Sequence, residues 1–267
     1  MKKTAITSLF LMASGFFASG QASAELKTKA FEYQVNDESF TGYMAWDDSL
    51  KGKRPGVLLV HEWWGHTEFV RDQAEKLAAE GYTAMALDMY GSGKTADHPD
   101  EAQAFMKAAT SDPQAMKERF TTAMERLQSH DTVDSDAIAA QGYCFGGAVV
   151  LNMARAGLDL DGVVSYHGSL GTENPAQPGD VKARIQVYTG AADNLVPADQ
   201  VAGFVSEMHQ AGADLMLRSY PGVKHSFTNP GADALGEEFG MPVAYDKAAA
   251  DDAFAGTLAF YRELFGR

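Results

Sequence analysis

From residue 56 onward the chain alternates between short strand-like runs, the first of them continuously apolar, and longer amphipathic stretches, and this alternation leaves few folds open. Gly56–His61 (GVLLVH), Tyr82–Leu87, Ala137–Gly142, Gly162–Tyr166, Arg184–Thr189 and Ala213–Tyr220 read as strands. An apolar run without polar alternation needs cover on both faces of a sheet. Thr67–Glu80, Pro113–Ser129, Phe145–Arg155, Pro197–Gln210 and Tyr245–Phe265 read as the covering helices. In Thr67–Glu80, residues Phe69, Val70, Ala74, Leu77 and Ala78 share one side, and Gly81 ends the run. In Pro197–Gln210, residues Val201, Phe204, Val205 and Met208 recur at helical spacing behind Pro197. The pattern predicts an α/β fold with a mostly parallel central sheet flanked by helices. Upstream, Phe31–Val35 and Phe40–Trp46 read as two further short strands. Gly91–Asp112 is polar and reads as a loop or small cap.

The first residues stand apart from this pattern. Lys2 and Lys3 precede an uncharged stretch, Thr4–Gly20, and Ala22-Ser23-Ala24 supplies a small-x-small cleavage site. This is the pattern of a secretory signal peptide. The apolar run is shorter than the ~20 residues a membrane span needs. Cleavage is therefore expected before Glu25. That leaves residues 25–267 as a single α/β domain, placed in the periplasm or secreted. The whole chain carries a formal charge of −14, and losing Lys2 and Lys3 makes it more acidic still. Such a surface argues against a nucleic-acid partner and against an anionic membrane. The chain has one cysteine. An unpaired thiol in an oxidising compartment is either buried and inert or has a task.

The surroundings of that cysteine favour a task. Gly142-Tyr143-Cys144-Phe145-Gly146 matches G-x-C-x-G, the thiol form of the nucleophile elbow, with a strand before it and a helix after it. The turn forces the central residue into a strained conformation, and glycines two positions away on each side relieve the crowding. The thiol then faces a helix N-terminus, whose dipole favours thiolate. Asp193 follows the strand Arg184–Thr189, and His225 follows the strand Ala213–Tyr220. Alone, Asp193 reads as a helix cap and His225 as a loop histidine. Together they complete the order nucleophile, acid, histidine, each beyond a strand, which is the α/β-hydrolase order. In these roles His225 takes or holds the thiol proton, and Asp193 fixes the histidine tautomer. An oxyanion needs preorganised donors. The Phe145 N–H is the first, and the turn His61-Glu62-Trp63-Trp64-Gly65 is placed to give a second.

The sequence resembles the dienelactone hydrolase family. The resemblance rests on HEWWG at 61–65, DMYG at 88–91, GYCFGG at 142–147, GAADNLVP at 190–197 and KHSFTNPG at 224–231, and it spans roughly residues 30–265. It implies that the N–H of Trp63 completes the oxyanion hole and that Glu62 interacts with the resting thiol. Four residues after His225 stands Asn229, where the family's lactone-binding enzyme places an arginine, and Gly91–Asp112 holds no arginine. The resemblance thus carries the reaction type further than the substrate.

The sequence therefore predicts an ester or lactone hydrolase acting through Cys144, Asp193 and His225 on a small-molecule substrate, without metal or organic cofactor. His61 and His66 are five residues apart, not the four that one helical metal site needs. Trp64 and His167 are candidates for the pocket wall. Two alternatives use the same residues: acyl transfer or cleavage of another acyl bond, and a binding or sensing protein that keeps the fold without turnover.

Overall fold

The computed structural model describes residues 25–266, so the leader read in residues 1–24 lies outside the described residues. Two antiparallel strands come first, β1 (Leu26–Val35) and β2 (Glu38–Asp47). The Asn36-Asp37 turn joining them places Asn36 at φ 52°. The first five residues of β1 are all exposed. They pair fully with β2, from Leu26 opposite Asp47 to Val35 opposite Glu38, which extends the strand expected at Phe31–Val35. An exposed edge carries no burial pattern for a sequence reading to detect. Its Lys27 and Lys29 suit an edge that must not recruit further strands.

The central strands are β3 (Arg54–Val60), β4 (Thr83–Leu87), β5 (Val133–Tyr143), β6 (Gly162–Tyr166), β7 (Arg184–Gly190) and β8 (Leu215–Tyr220). Every residue of β3, β4 and β6 is buried, as their unbroken apolar runs require. The eight strands form one sheet in the order β1-β2-β4-β3-β5-β6-β7-β8. β2 meets β4 antiparallel, and every pairing from β4 to β8 is parallel. This is the α/β-hydrolase arrangement.

Helices cover both faces. On one, α1 (Glu68–Ala79) and α7 (Lys247–Leu264) bury Val70, Leu77, Leu258 and Tyr261 against a layer of strand residues that includes Tyr143, Tyr166, Tyr188 and Tyr220. On the other, α3 (Pro113–Gln128), α4 (Phe145–Arg155) and α5 (Ala198–Ala211) bury Phe120, Leu127, Val149, Val150, Phe204 and Met208. Local chemistry sets the helix ends. The Asp112 carboxylate accepts from the N–H of Gln114 and Ala115 ahead of α3, with Pro113 at the first helical position. Gly212 closes α5 in the left-handed conformation, φ 73°.

Two further helices lie where the sequence reading placed none. α2 (Pro99–Thr110) occupies the polar stretch read as a loop or cap, and α6 (Ala232–Phe239) follows the His225 loop. Both stand beside the carboxyl ends of the strands. There the main chain bends out of the sheet, and side chains from successive loops converge.

Candidate active site

Cys144 sits between β5 and α4 at φ 52° and ψ −115°, a conformation that side-chain-bearing residues rarely adopt. Tight packing around the turn holds it there. A Cβ on Gly142 would overlap the Gly146 carbonyl, and one on Gly146 would overlap the carbonyls of Val60 and His61. The Gly146 N–H donates to the His61 carbonyl at 3.1 Å, which ties the elbow to the turn after β3. The Cys144 N–H donates to the Tyr166 carbonyl at 3.0 Å and to His167 Nδ1 at 3.1 Å.

Asp193 and His225 meet across the ends of β7 and β8. His225 Nδ1 lies 2.7 Å from Asp193 Oδ2. Both side chains are shielded, at 6% and 0% exposure. The second carboxylate oxygen of Asp193 accepts from the N–H of Leu195 at 2.8 Å and of Val196 at 3.3 Å, so the acid is held in place. His225 Nε2 is buried and has no partner other than the Cys144 thiol, so it is free of competing partners. Burial lowers the ring's pKa, but the negative charges of Cys144 and Asp193, together with the hydrogen bonds those groups offer, outweigh it and lift the pKa to about 10. The two residues read separately in the sequence are thus one buried pair, electrostatically linked to the thiol.

The Glu62 carboxyl is fully buried. Its Oε2 accepts from Asn229 Nδ2 at 2.6 Å, and no hydrogen bond links it to Cys144 among the described residues. The hydrogen bond Glu62 makes is thus to the Asn229 amide rather than to the thiol. Burial pushes the Glu62 pKa up, against the opposing pull of Asn229, Ser226 and the charge on His225.

His167, expected at the pocket wall, lies behind the nucleophile instead. It is fully buried, at φ 42°. Its Nδ1 receives the Cys144 N–H, and its Nε2 contacts Thr228 Oγ1 at 2.8 Å. Burial, then the charge on His225, drives its pKa well below the ordinary value. A neutral ring whose Nδ1 accepts must carry its proton on Nε2, so it donates to Thr228. His167 therefore links the elbow to the loop that carries His225.

His61 is also fully buried. Its Nδ1 faces the Glu62 carbonyl at 2.6 Å and its Nε2 accepts the Met89 N–H at 3.2 Å. Burial takes its pKa down to about 4. His66 contacts the Ala86 carbonyl at 3.0 Å. Backbone partners occupy the rings that a metal reading would need, and no group of His, Cys, Asp and Glu suited to a metal occurs among the described residues.

The thiol opens into a cavity of about 450 Å³. Trp63, Trp64 and Phe145 form its inner end with Cys144 and His225. Met106 and Thr110 of α2 form one wall, and Leu235, Met241, Pro242 and Val243, from α6 and the segment after it, form another. The Ala244 N–H donates to the His225 carbonyl at 3.1 Å, so this second wall is fixed to the histidine loop. The sequence held a signal for α2, because Ala102, Phe105, Met106 and Ala109 follow helical spacing. It held a shorter one for α6, where Ala232, Leu235 and Phe239 share that spacing over only eight residues. A second hollow of about 380 Å³, around Glu38, Tyr90, Lys94 and Arg119, holds none of Cys144, Asp193 or His225.

Comparison with known proteins agrees with the fold. A model of the dienelactone hydrolase family matches residues 40–265. Among similar proteins, "Protein usf" of Aquifex pyrophilus is 27% identical over 237 residues, covering 87% of this chain and 96% of that protein. A protein of Aquifex aeolicus named "Putative carboxymethylenebutenolidase" is 27% identical over 203 residues, covering 74% of this chain and 86% of that one. Among solved structures, a dienelactone hydrolase-like promiscuous phosphotriesterase from metagenomic libraries superposes with a TM-score of 0.82 at 27% identity, covering 90% of this chain and 98% of its own.

Proposed function

The chain belongs to the dienelactone hydrolase family, and we propose that it is an exported hydrolase that cleaves a small ester or lactone through Cys144, His225 and Asp193. The family assignment supports a hydrolase of esters or lactones. The cysteine mechanism rests on one observation above the rest. A buried His225–Asp193 pair at 2.7 Å leaves Nε2 uncommitted, and the pKa of the ring is raised chiefly by Cys144.

For reaction the thiol proton passes to His225 and the negative charge is left on Cys144 Sγ. Sγ attacks the carbonyl carbon, and the carbonyl electron pair moves onto oxygen, facing the N–H groups of Phe145 and Trp63. Collapse breaks the carbon–oxygen bond to the leaving group. The alcohol departs with the proton from His225, and the acyl group remains on sulfur as a thioester. Forming that thioester removes the thiolate charge, which is the main influence raising the His225 pKa. The ring is then a stronger proton donor and rests neutral, so it can accept a proton from water. The resulting hydroxide attacks the thioester, and Sγ leaves as thiolate. Asp193 holds Nδ1–H throughout, so that Nε2 faces the reaction.

A panel of short aryl esters and small lactones, offered to the native enzyme and to Cys144→Ala, tests the reading. Turnover by the native enzyme that the variant lacks is the expected result. Equal turnover by both would remove Cys144 from the mechanism.

A further inference from the structure

The cavity wall specifies charge as well as shape. We infer that the site takes a neutral ester with an apolar acyl or aryl body and rejects a substrate that carries a second, ionised carboxylate. This rests on the reading of the cavity as the substrate site of the Cys144 reaction.

Most of the wall is apolar: Trp63, Trp64, Met106, Leu235, Met241 and Val243 all face the space. Among the described residues no lysine or arginine lines it, and its polar side chains belong to Cys144, His225, Ser169, Ser226 and Thr110. Among the described residues His225 is the one cationic side chain at the wall, and its charge is already matched by Asp193 at 2.7 Å and by the thiol. After acylation the ring is neutral and offers a substrate carboxylate nothing.

Asn229 cannot replace a cation. Its amide donates to Glu62 Oε2 at 2.6 Å, and its oxygen accepts the Gly231 N–H at 2.8 Å. The nearby Glu62 is acidic, so any charge it carries repels an anion. Lys94 and Arg119 belong to the neighbouring hollow. Arg119 is committed to the Met89 carbonyl at 3.3 Å, to Glu38 at 3.5 Å and to the Phe40 ring. Lys94 lies over the Phe105 ring. A carboxylate entering the cavity would lose its water and gain no counter-charge, which is costly for any buried ion. An apolar chain in the same place trades water for tryptophan, methionine and leucine surface.

The test compares two esters that differ only at the far end of the acyl chain, 4-nitrophenyl hexanoate and the mono-4-nitrophenyl ester of adipic acid, at pH 7.5. Two quantities are read: kcat/KM in the native enzyme, corrected for spontaneous hydrolysis, and Kd in Cys144→Ala from quenching of tryptophan fluorescence. A preference for hexanoate of about 100-fold or more is expected in both, the scale on which sites discriminate against an unmatched buried group. Leu235→Arg, which places a cation on the wall, is expected to raise kcat/KM for the adipate ester about tenfold or more and so narrow the gap. Equal or tighter binding of the adipate ester to Cys144→Ala overturns the inference, whatever the native enzyme turns over. Tight hexanoate binding to Cys144→Ala without turnover by the native enzyme upholds the pocket chemistry and sinks the hydrolase reading instead.

Discussion

At the scale of single residues, the account depends on how Cys144 and His225 share a proton. Negative charge at Cys144 does most to raise the His225 pKa, while burial alone would lower it. Removing the thiol must therefore move the pKa down. An NMR titration of His225 is expected to show the ring holding its proton to about pH 10 in the native enzyme and releasing it at distinctly lower pH in Cys144→Ala. An unchanged titration would mean that the two groups do not interact. Asp193 acts through the tautomer of His225. Asp193→Asn keeps the shape but favours the wrong tautomer, and kcat is expected to fall by roughly 10³–10⁴-fold with little change in unfolding free energy. The placement of Cys144, Asp193 and His225 just beyond strand ends was legible from chain order. The roles of Glu62 and His167 were not, because they turn on three-dimensional partners, Asn229 and Thr228, that no spacing reveals.

At the scale of elements, the nucleophile elbow is the most constrained piece of chain. Gly146 packs directly on the end of β3, so Gly146→Ala must push apart two backbone segments rather than a flexible side chain. It is expected to lose about 1–3 kcal/mol of stability in urea unfolding, with greatly reduced modification of the thiol by an ester probe. Near-native stability would show that the elbow is looser than its contacts imply. The helix after the elbow, Phe145–Arg155, and the strand Gly162–Tyr166 take the bounds the sequence suggested. In both, an apolar run meets a sharp boundary. Elsewhere the boundaries blur for physical reasons. The start of β1 is exposed on both faces, and α6 is only eight residues long, too short for its spacing of Ala232, Leu235 and Phe239 to stand out. α6 still matters, because with the segment after it it supplies four side chains to the cavity wall. The parts of a site that choose a substrate leave weaker marks in a sequence than the parts that perform the chemistry.

At the scale of the whole molecule, the acidic chain and its leader-like start make a joint expectation. Expressed in full in a bacterium with an export system, the protein is expected to appear outside the cytoplasm with Glu25 as its new N-terminus, as N-terminal sequencing of the exported fraction would show. An unprocessed Met1 start in the cytoplasm would contradict that part of the account. The mostly parallel sheet and its flanking helices were legible as a class, because strand–helix alternation admits few arrangements. The walls over the strand ends were not, since they come from loops whose lengths and turns the alternation does not fix.

The central claim is that Cys144 carries the acyl group. The direct measurement is rapid acid quenching of native enzyme during turnover of a 4-nitrophenyl ester, followed by mass spectrometry of the peptide that contains Cys144. The account predicts an added mass equal to the acyl group on that peptide, removed by hydroxylamine and absent from Cys144→Ala. Turnover in which no acyl group ever resides on Cys144, or in which it resides on another residue, would contradict it.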